Sequence, residues 1–216
     1  MKSVNPASQY QMLVSLIKDM EPGTVFVSDD MVFSDKSVLR VYLSRLVEEG
    51  EVIRLGSGVF CKPRQSDFLK TIVIPDIDEI ASAIARAEKA RIFPVGEYSL
   101  YKLGLSTQVP AIAVYGTDGS ARVIRLLDGR TIRFKSVAAR NFAYRSSVMQ
   151  TVVSAMREIG ERNITDVQIA SIAGICSKVA KEDFRNDLRL APEWIQKRLL
   201  KEVRHHSKRF FPESAN

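Results

Sequence analysis

The chain has little of what most enzyme chemistry needs. Its 216 residues include two cysteines, Cys61 and Cys176, and two histidines, His205 and His206. The cysteines lie far apart and read as packing thiols in a reducing compartment. A zinc site would need both of them together with the histidine pair of the basic tail, which the spacing does not favour. No apolar run is long enough to span a bilayer. The opening MKSVNPASQYQ has no apolar stretch of signal-peptide type. The expectation is a cytoplasmic protein with no membrane partner. Catalytic motifs are also missing: no P-loop, no G-x-G-x-x-G, no G-x-S-x-G and no H-E-x-x-H. A metal-dependent nuclease would need acids converging with a lysine. Asp118, Asp128 and Lys135 come nearest, but both aspartates stand in turn signals. Arg133 occupies the place where an acid two before the lysine is wanted. The chain is therefore expected to be no enzyme and to hold no cofactor or metal. Glu97, in Gly96-Glu97-Tyr98, is the one acid in a mostly apolar neighbourhood. It reads as the first residue of a helix, stabilised by the macrodipole.

Basic charge is what the chain does have. The formal net charge is +7, which favours polyanionic partners. Residues 1–64 are neutral, with eight basic and eight acidic side chains. The excess lies further on. Arg122, Arg125, Arg130, Arg133, Lys135, Arg140 and Arg145 face only Asp128 within Arg122–Arg145. Lys197, Arg198, Lys201, Arg204, Lys208 and Arg209 follow near the end. Arg122, Arg125, Arg133, Lys135 and Arg140 form the candidate basic surface of the C-terminal half. Arg133 and Lys135 share one strand face, but Arg122 and Arg125 do not.

The most specific local pattern is SDKSVLRVYLSRLVEEGEVIRLGSGVFCK, residues 34–62. Leu39, Tyr42, Leu43 and Leu46 recur with helical spacing on one face. Ser34 or Asp35 supplies the N-cap, and Gly50 the left-handed stop. The other face carries Lys36, Ser37, Arg40, Val41, Ser44 and Arg45, side chains that reach phosphates and base edges. Two short strands follow, Glu51–Leu55 and Val59–Lys62, with Gly56-Ser57-Gly58 as hairpin turn. A recognition helix running into a β-wing is the second half of a winged helix-turn-helix, with Arg54, Ser57 and Lys62 as wing contacts. The residues before it supply the first half. Ser8–Met20 reads as a helix stopped by Glu21-Pro22-Gly23. Thr24–Val27 reads as a short strand, and Ser28 caps a brief helix through Asp29–Phe33. The partner this implies is double-stranded DNA.

The expected architecture is α+β. Residues 1–64 form a winged helix-turn-helix, and residues 65–216 a C-terminal mixed domain with a small antiparallel sheet and several helices. Pro63–Pro75 is too apolar for a free tether, so Phe68, Leu69, Ile72, Val73 and Ile74 are expected to pack. A helix runs from Asp76 or Asp78 to Ala90, and a short one over Glu97–Leu103. Strands follow at Ala111–Tyr115, Arg122–Leu127 and Thr131–Lys135, with Asp118-Gly119 and Asp128-Gly129 as turns. Beyond Ser146 the pattern is helical. Val148, Val152, Val153, Met156 and Ile159 form one stripe, and Val167, Ile169, Ala170, Ile172 and Ile175 another. A last pair covers Lys178–Arg189 and Pro192–Lys208, with Trp194, Ile195, Leu199, Leu200 and Val203 expected to dock on the sheet.

The stretch YLSRLVEEGEVIRLGSGVF resembles the recognition helix and wing of AbiEi-type antitoxins, the repressor half of bacterial type IV toxin–antitoxin and phage-defence operons. The run IFPVGEYSLYKLGLSTQVPAIAVYGTDGSARVIRLLDGRTIRFKSV resembles that family's second domain. Its most distinctive part is Leu103-Gly104-Leu105-Ser106-Thr107-Gln108-Val109-Pro110. The resemblance covers roughly Ser8 to Trp194. It implies an autorepressor that binds operator repeats and counteracts a nucleotidyltransferase-like toxin, for which direct contact is not required. Two other readings stand beside it. One is a stand-alone winged-helix regulator with a partner- or ligand-sensing second domain. The other is a winged-helix-targeted nuclease, which the missing acid–lysine set disfavours.

Overall fold

The computed structural model describes residues 6–210 apart from 34, 67 and 69. It is a mixed α+β structure with eight α-helices and two small sheets among the described residues. The chain divides into two compact units. The first is Met1–Ala90 with Ile124–Ile132, and the second is Arg91–Val123 with Arg133–Asn216.

In the first unit, α1 (Pro6–Asp19) leads to β1 (Val25–Val27), a 3-10 turn (Ser28–Asp30), α2 (Lys36–Glu48), β2 (Ile53–Gly56) and β3 (Val59–Cys61). The strands lie in the order β1-β3-β2. β3 pairs antiparallel with both neighbours, with Phe60 opposite Phe26 on one side and Arg54 on the other. The helical spacing of Leu39, Leu43 and Leu46 has the expected result, since all three are buried. They pack with Leu13 and Ile17 of α1 and with Phe26, Val52 and Phe60. Each such leucine contributes about 2 kcal/mol of burial free energy. Asp35 is the N-cap of α2 and accepts the Ser37 backbone N–H at 2.7 Å. The alternative cap, Ser34, lies outside the described residues. Gly50 turns the chain at φ +75°, a backbone region a side chain would strain.

Two expectations need correction here. The helix expected over Asp29–Phe33 is only the 3-10 turn Ser28–Asp30, which has no side-chain cap. It ends because Met31 turns extended and drops into the core. In the apolar segment before residue 75, Val73 is half-buried but Phe68, Ile72 and Ile74 do not pack as expected. The segment folds back on itself, with Ser66 N–H donating to Thr71 O at 2.9 Å and Gln65 bridged to Ile72. That pairing leaves Phe68 92% exposed and Ile72 and Ile74 exposed as well. Leu69 lies outside the described residues. Helix α3 (Ile77–Ala87) then packs on β1. Its start is a full capping box between Asp76 and Glu79.

The second unit holds β4 (Ile92–Pro94), α4 (Glu97–Lys102), β5 (Ile112–Thr117) and helices α5 (Ser147–Ile159), α6 (Asp166–Cys176), α7 (Lys181–Leu188) and α8 (Glu193–Phe210). Strands β6 (Arg122–Arg125) and β7 (Thr131–Ser136) complete a sheet of order β4-β5-β7-β6. β4 was not expected, because three residues ending in proline carry no alternation. The helical core gathers Met149, Val152, Val153 and Met156 of α5, Ile169, Ile172 and Cys176 of α6, and Ile195 and Leu199 of α8. Helix α8 packs on α6, where docking on the sheet was expected. Val148, Val167 and Leu200 are exposed rather than inward, and so is Ala170. The buried Asp187 carboxylate accepts the backbone N–H groups of Arg145 and Ser146, each at 2.8 Å. It thereby anchors the chain as it enters α5, whose own N-cap is Ser146.

Candidate nucleic-acid interface

Along α2, every third or fourth residue is committed to the core, so the remaining positions face outward. Lys36, Ser37, Arg40, Val41 and Arg45 are exposed, and Ser44 is half-buried. They differ in how free they are. The Lys36 ammonium donates to the carbonyls of Ser28, Asp29 and Met31 at 3.2–3.3 Å, closing off the 3-10 turn. The Ser37 hydroxyl donates to the Asp35 carboxylate at 2.6 Å. That bond, with the Ser37 N–H, holds the Asp35 carboxyl below its ordinary range. Arg45 pairs with Glu49 at 2.8 Å and lies over the Tyr10 ring. The Tyr10 hydroxyl donates to the same Glu49. Arg40 has no hydrogen bond or ion pair among the described residues, and Val41 stands open beside it.

The hairpin β2–β3 sits next to this face. Arg54 donates to the Ser44 hydroxyl at 3.0 Å, and its guanidinium lies over the Phe60 ring. Ser57 is exposed at the turn. Lys62 is elsewhere. It follows β3 at the end away from the turn, and its ammonium donates to the carbonyls of Lys18 and Met20 at the end of α1. A cation there compensates the negative end of the helix dipole. Lys62, expected as a wing contact, therefore lies away from the hairpin turn and is engaged by α1.

The outer edge of β2 is covered. Residues Ile124–Ile132, the far end of the β6–β7 hairpin, belong to the first unit. Leu127 N–H donates to Leu55 O at 2.8 Å, and Leu126 bridges to Gly56. Leu55 falls where the β2–β3 register shifts, so its carbonyl is available to a third partner. Arg130 braces this tip. It pairs with Asp128 at 2.7 Å and donates to Pro75 O at 3.1 Å.

The other basic positions lie as follows. Arg125 is exposed on β6. Arg133 and Lys135 are exposed on β7, and Arg140 is exposed in a 3-10 turn, Ala139–Phe142. Arg122 lies apart from this exposed set, stacked over the Phe134 ring on the buried side of β7. Asp118 and Asp128, the acids nearest to a metal-nuclease pattern, are held by arginines. Asp118 accepts Arg91 N–H and Nε, both at 2.7 Å, and Asp128 accepts Arg130. Both carboxyls are pushed down by these bonds. Among the described residues no three His, Cys, Asp or Glu side chains gather as a metal site would need. Glu97 is exposed as the first residue of α4. The second unit also carries a cleft of about 320 Å³, lined by Phe93, Tyr144, Lys135, Arg157 and Glu158 among others.

No curated protein matches the chain. A solved structure, the RV2827C protein from Mycobacterium tuberculosis, is similar at 15% identity and TM-score 0.43, over 91% of this chain and 76% of that one. A family model of unknown function matches residues 12–184, most of the chain, and the protein therefore belongs to the DUF6088 family.

Proposed function

We propose that the first unit is a winged helix-turn-helix and that the protein is a non-enzymatic repressor of double-stranded DNA targets. One observation carries this reading. Helix α2 runs directly into a glycine-turned hairpin, and its outward face presents Arg40, without a hydrogen bond or ion pair among the described residues, beside Val41 and the Ser44–Arg54 pair. That is the arrangement a major-groove helix with an adjacent wing requires. The pairing of Asp118 and Asp128 with arginines favours binding over nuclease chemistry. The test is selection of duplexes from a random library by the full chain, followed by affinity measurement across salt. Enrichment of one motif with a steep salt dependence supports the reading. Binding that neither enriches a motif nor responds to salt overturns it.

The antitoxin role rests on the Leu103–Pro110 run and its flanks. In this proposal the protein represses its own operon and counteracts a nucleotidyltransferase-like toxin encoded beside it. Co-expression with the neighbouring gene's product, scored as growth, tests this. The cleft in the second unit supports a second reading, a regulator whose second unit senses a small ligand. A neighbouring gene unrelated to nucleotidyltransferases would favour that regulator.

A further inference from the structure

We infer that Arg125 is a phosphate-contacting residue of an enlarged wing, made when the β6–β7 tip pairs with the edge of β2. The inference rests on the DNA-binding reading above and says which residues complete that surface.

The starting point is a shortage of cations. Residues 1–64 are neutral overall, yet a duplex-binding surface draws most of its affinity from neutralised phosphates. Two lysines assigned to that surface by sequence spend their ammonium groups on backbone carbonyls, Lys36 at the 3-10 turn and Lys62 at the end of α1. Arg45 is shared with Glu49. The hairpin itself is left with Arg54.

The fold supplies another cation from far along the chain. Leu126 is buried and bridged to Gly56, and Leu127 N–H donates to Leu55 O. The approach is close enough that a Cβ on Gly56 would stand 3.3 Å from Arg125 O and 3.4 Å from the Leu126 side chain. A side chain at position 56 would press on the tip by a few tenths of an ångström, so glycine gives it the closest seat, although its own φ is not in the left-handed region. Arg125 is thereby fixed next to the Gly56–Gly58 turn, exposed, with no hydrogen bond or ion pair among the described residues. Arg130 is occupied by Asp128 and Pro75, so Arg125 is the arginine of this tip left to meet an anion. The residue after Gly56, Ser57, is exposed at the turn and carries a hydroxyl, a neutral donor of the kind that contacts phosphate. The added strand also shields the β2 edge from pairing with other chains.

The test uses the full chain, a duplex selected by it and a random duplex of equal length. Binding is measured across salt for wild type, Arg125→Ala and Arg125→Lys, with a melting curve for each. Arg125→Ala is expected to flatten the log–log salt slope by about one, equally on both duplexes, with no change in melting. Arg125→Lys is expected to keep the slope. Wild-type binding with an unchanged slope in Arg125→Ala overturns this surface and leaves the DNA-binding reading standing. Absence of duplex binding by the wild type overturns both.

Discussion

Arg54 donates to the Ser44 hydroxyl at 3.0 Å, tying the hairpin to the outward face of α2. Neither residue is in the core, so the bond sets the relative position of two surface elements more than it stabilises the fold. Such a bond is worth about 0.5–1.5 kcal/mol. If both residues act on DNA as one unit, their effects will not add. Ser44→Ala and Arg54→Ala should each weaken duplex binding, and the double variant should lose less than the product of the two fold-changes. A double-variant loss equal to that product would show that they act independently.

Arg40 should read a base. It projects opposite Leu39, Leu43 and Leu46 and has no hydrogen bond or ion pair to break among the described residues. Arg40→Ala should cost about 1–3 kcal/mol on the selected duplex and little on random DNA. Equal losses on the two would make Arg40 a phosphate contact.

Lys62 should behave in the opposite way. Its ammonium serves the carbonyls of Lys18 and Met20. Lys62→Ala should leave the salt slope of DNA binding unchanged and lower stability by about 1 kcal/mol. A melting curve and a salt titration on the same variant decide it. A flattened slope with unchanged melting would return Lys62 to the DNA surface.

These contrasts mark what local pattern could reveal. Helix α2 was legible because Leu39, Leu43 and Leu46 repeat with one period and Asp35 and Gly50 bound it. The hairpin was legible from its two glycines. The destinations of Lys36 and Lys62 were not, since a lysine that caps another element looks the same in sequence as one facing solvent. The seat of the β6–β7 tip beside Gly56 depends on pairing between segments far apart in the chain, which leaves no periodic mark. Helix α6 failed for a different reason. It is apolar nearly all round, with Val167, Ile169, Ala170, Ile172, Ala173 and Ile175, so the period does not choose a face. Packing chose Ile169, Ile172, Ala173 and Cys176 and left Val167 and Ala170 outside. Asp187 was missed because its partners are backbone N–H groups of a distant segment.

The two thiols give a pH prediction. Burial pushes the Cys61 thiol up from 9.0 to about 11 and the Cys176 thiol up to about 12. The reactive form is the thiolate, so both should resist a thiol reagent at about pH 8 while the chain is folded. The folded-state values lie above the unfolded value. Folding therefore favours the protonated thiols, and this contribution is fully present below the unfolded value of 9.0. It is lost as pH rises through about 11 and then about 12. Denaturation midpoints should fall on the alkaline side, and Cys61→Ser with Cys176→Ala should flatten that fall. The companion measurement is labelling with an aromatic disulfide reagent, native against denatured. Two thiols should react when the chain is unfolded and neither promptly when it is native. Prompt labelling of the native protein, with circular dichroism unchanged, would mean that at least one of these cysteines is open to solvent.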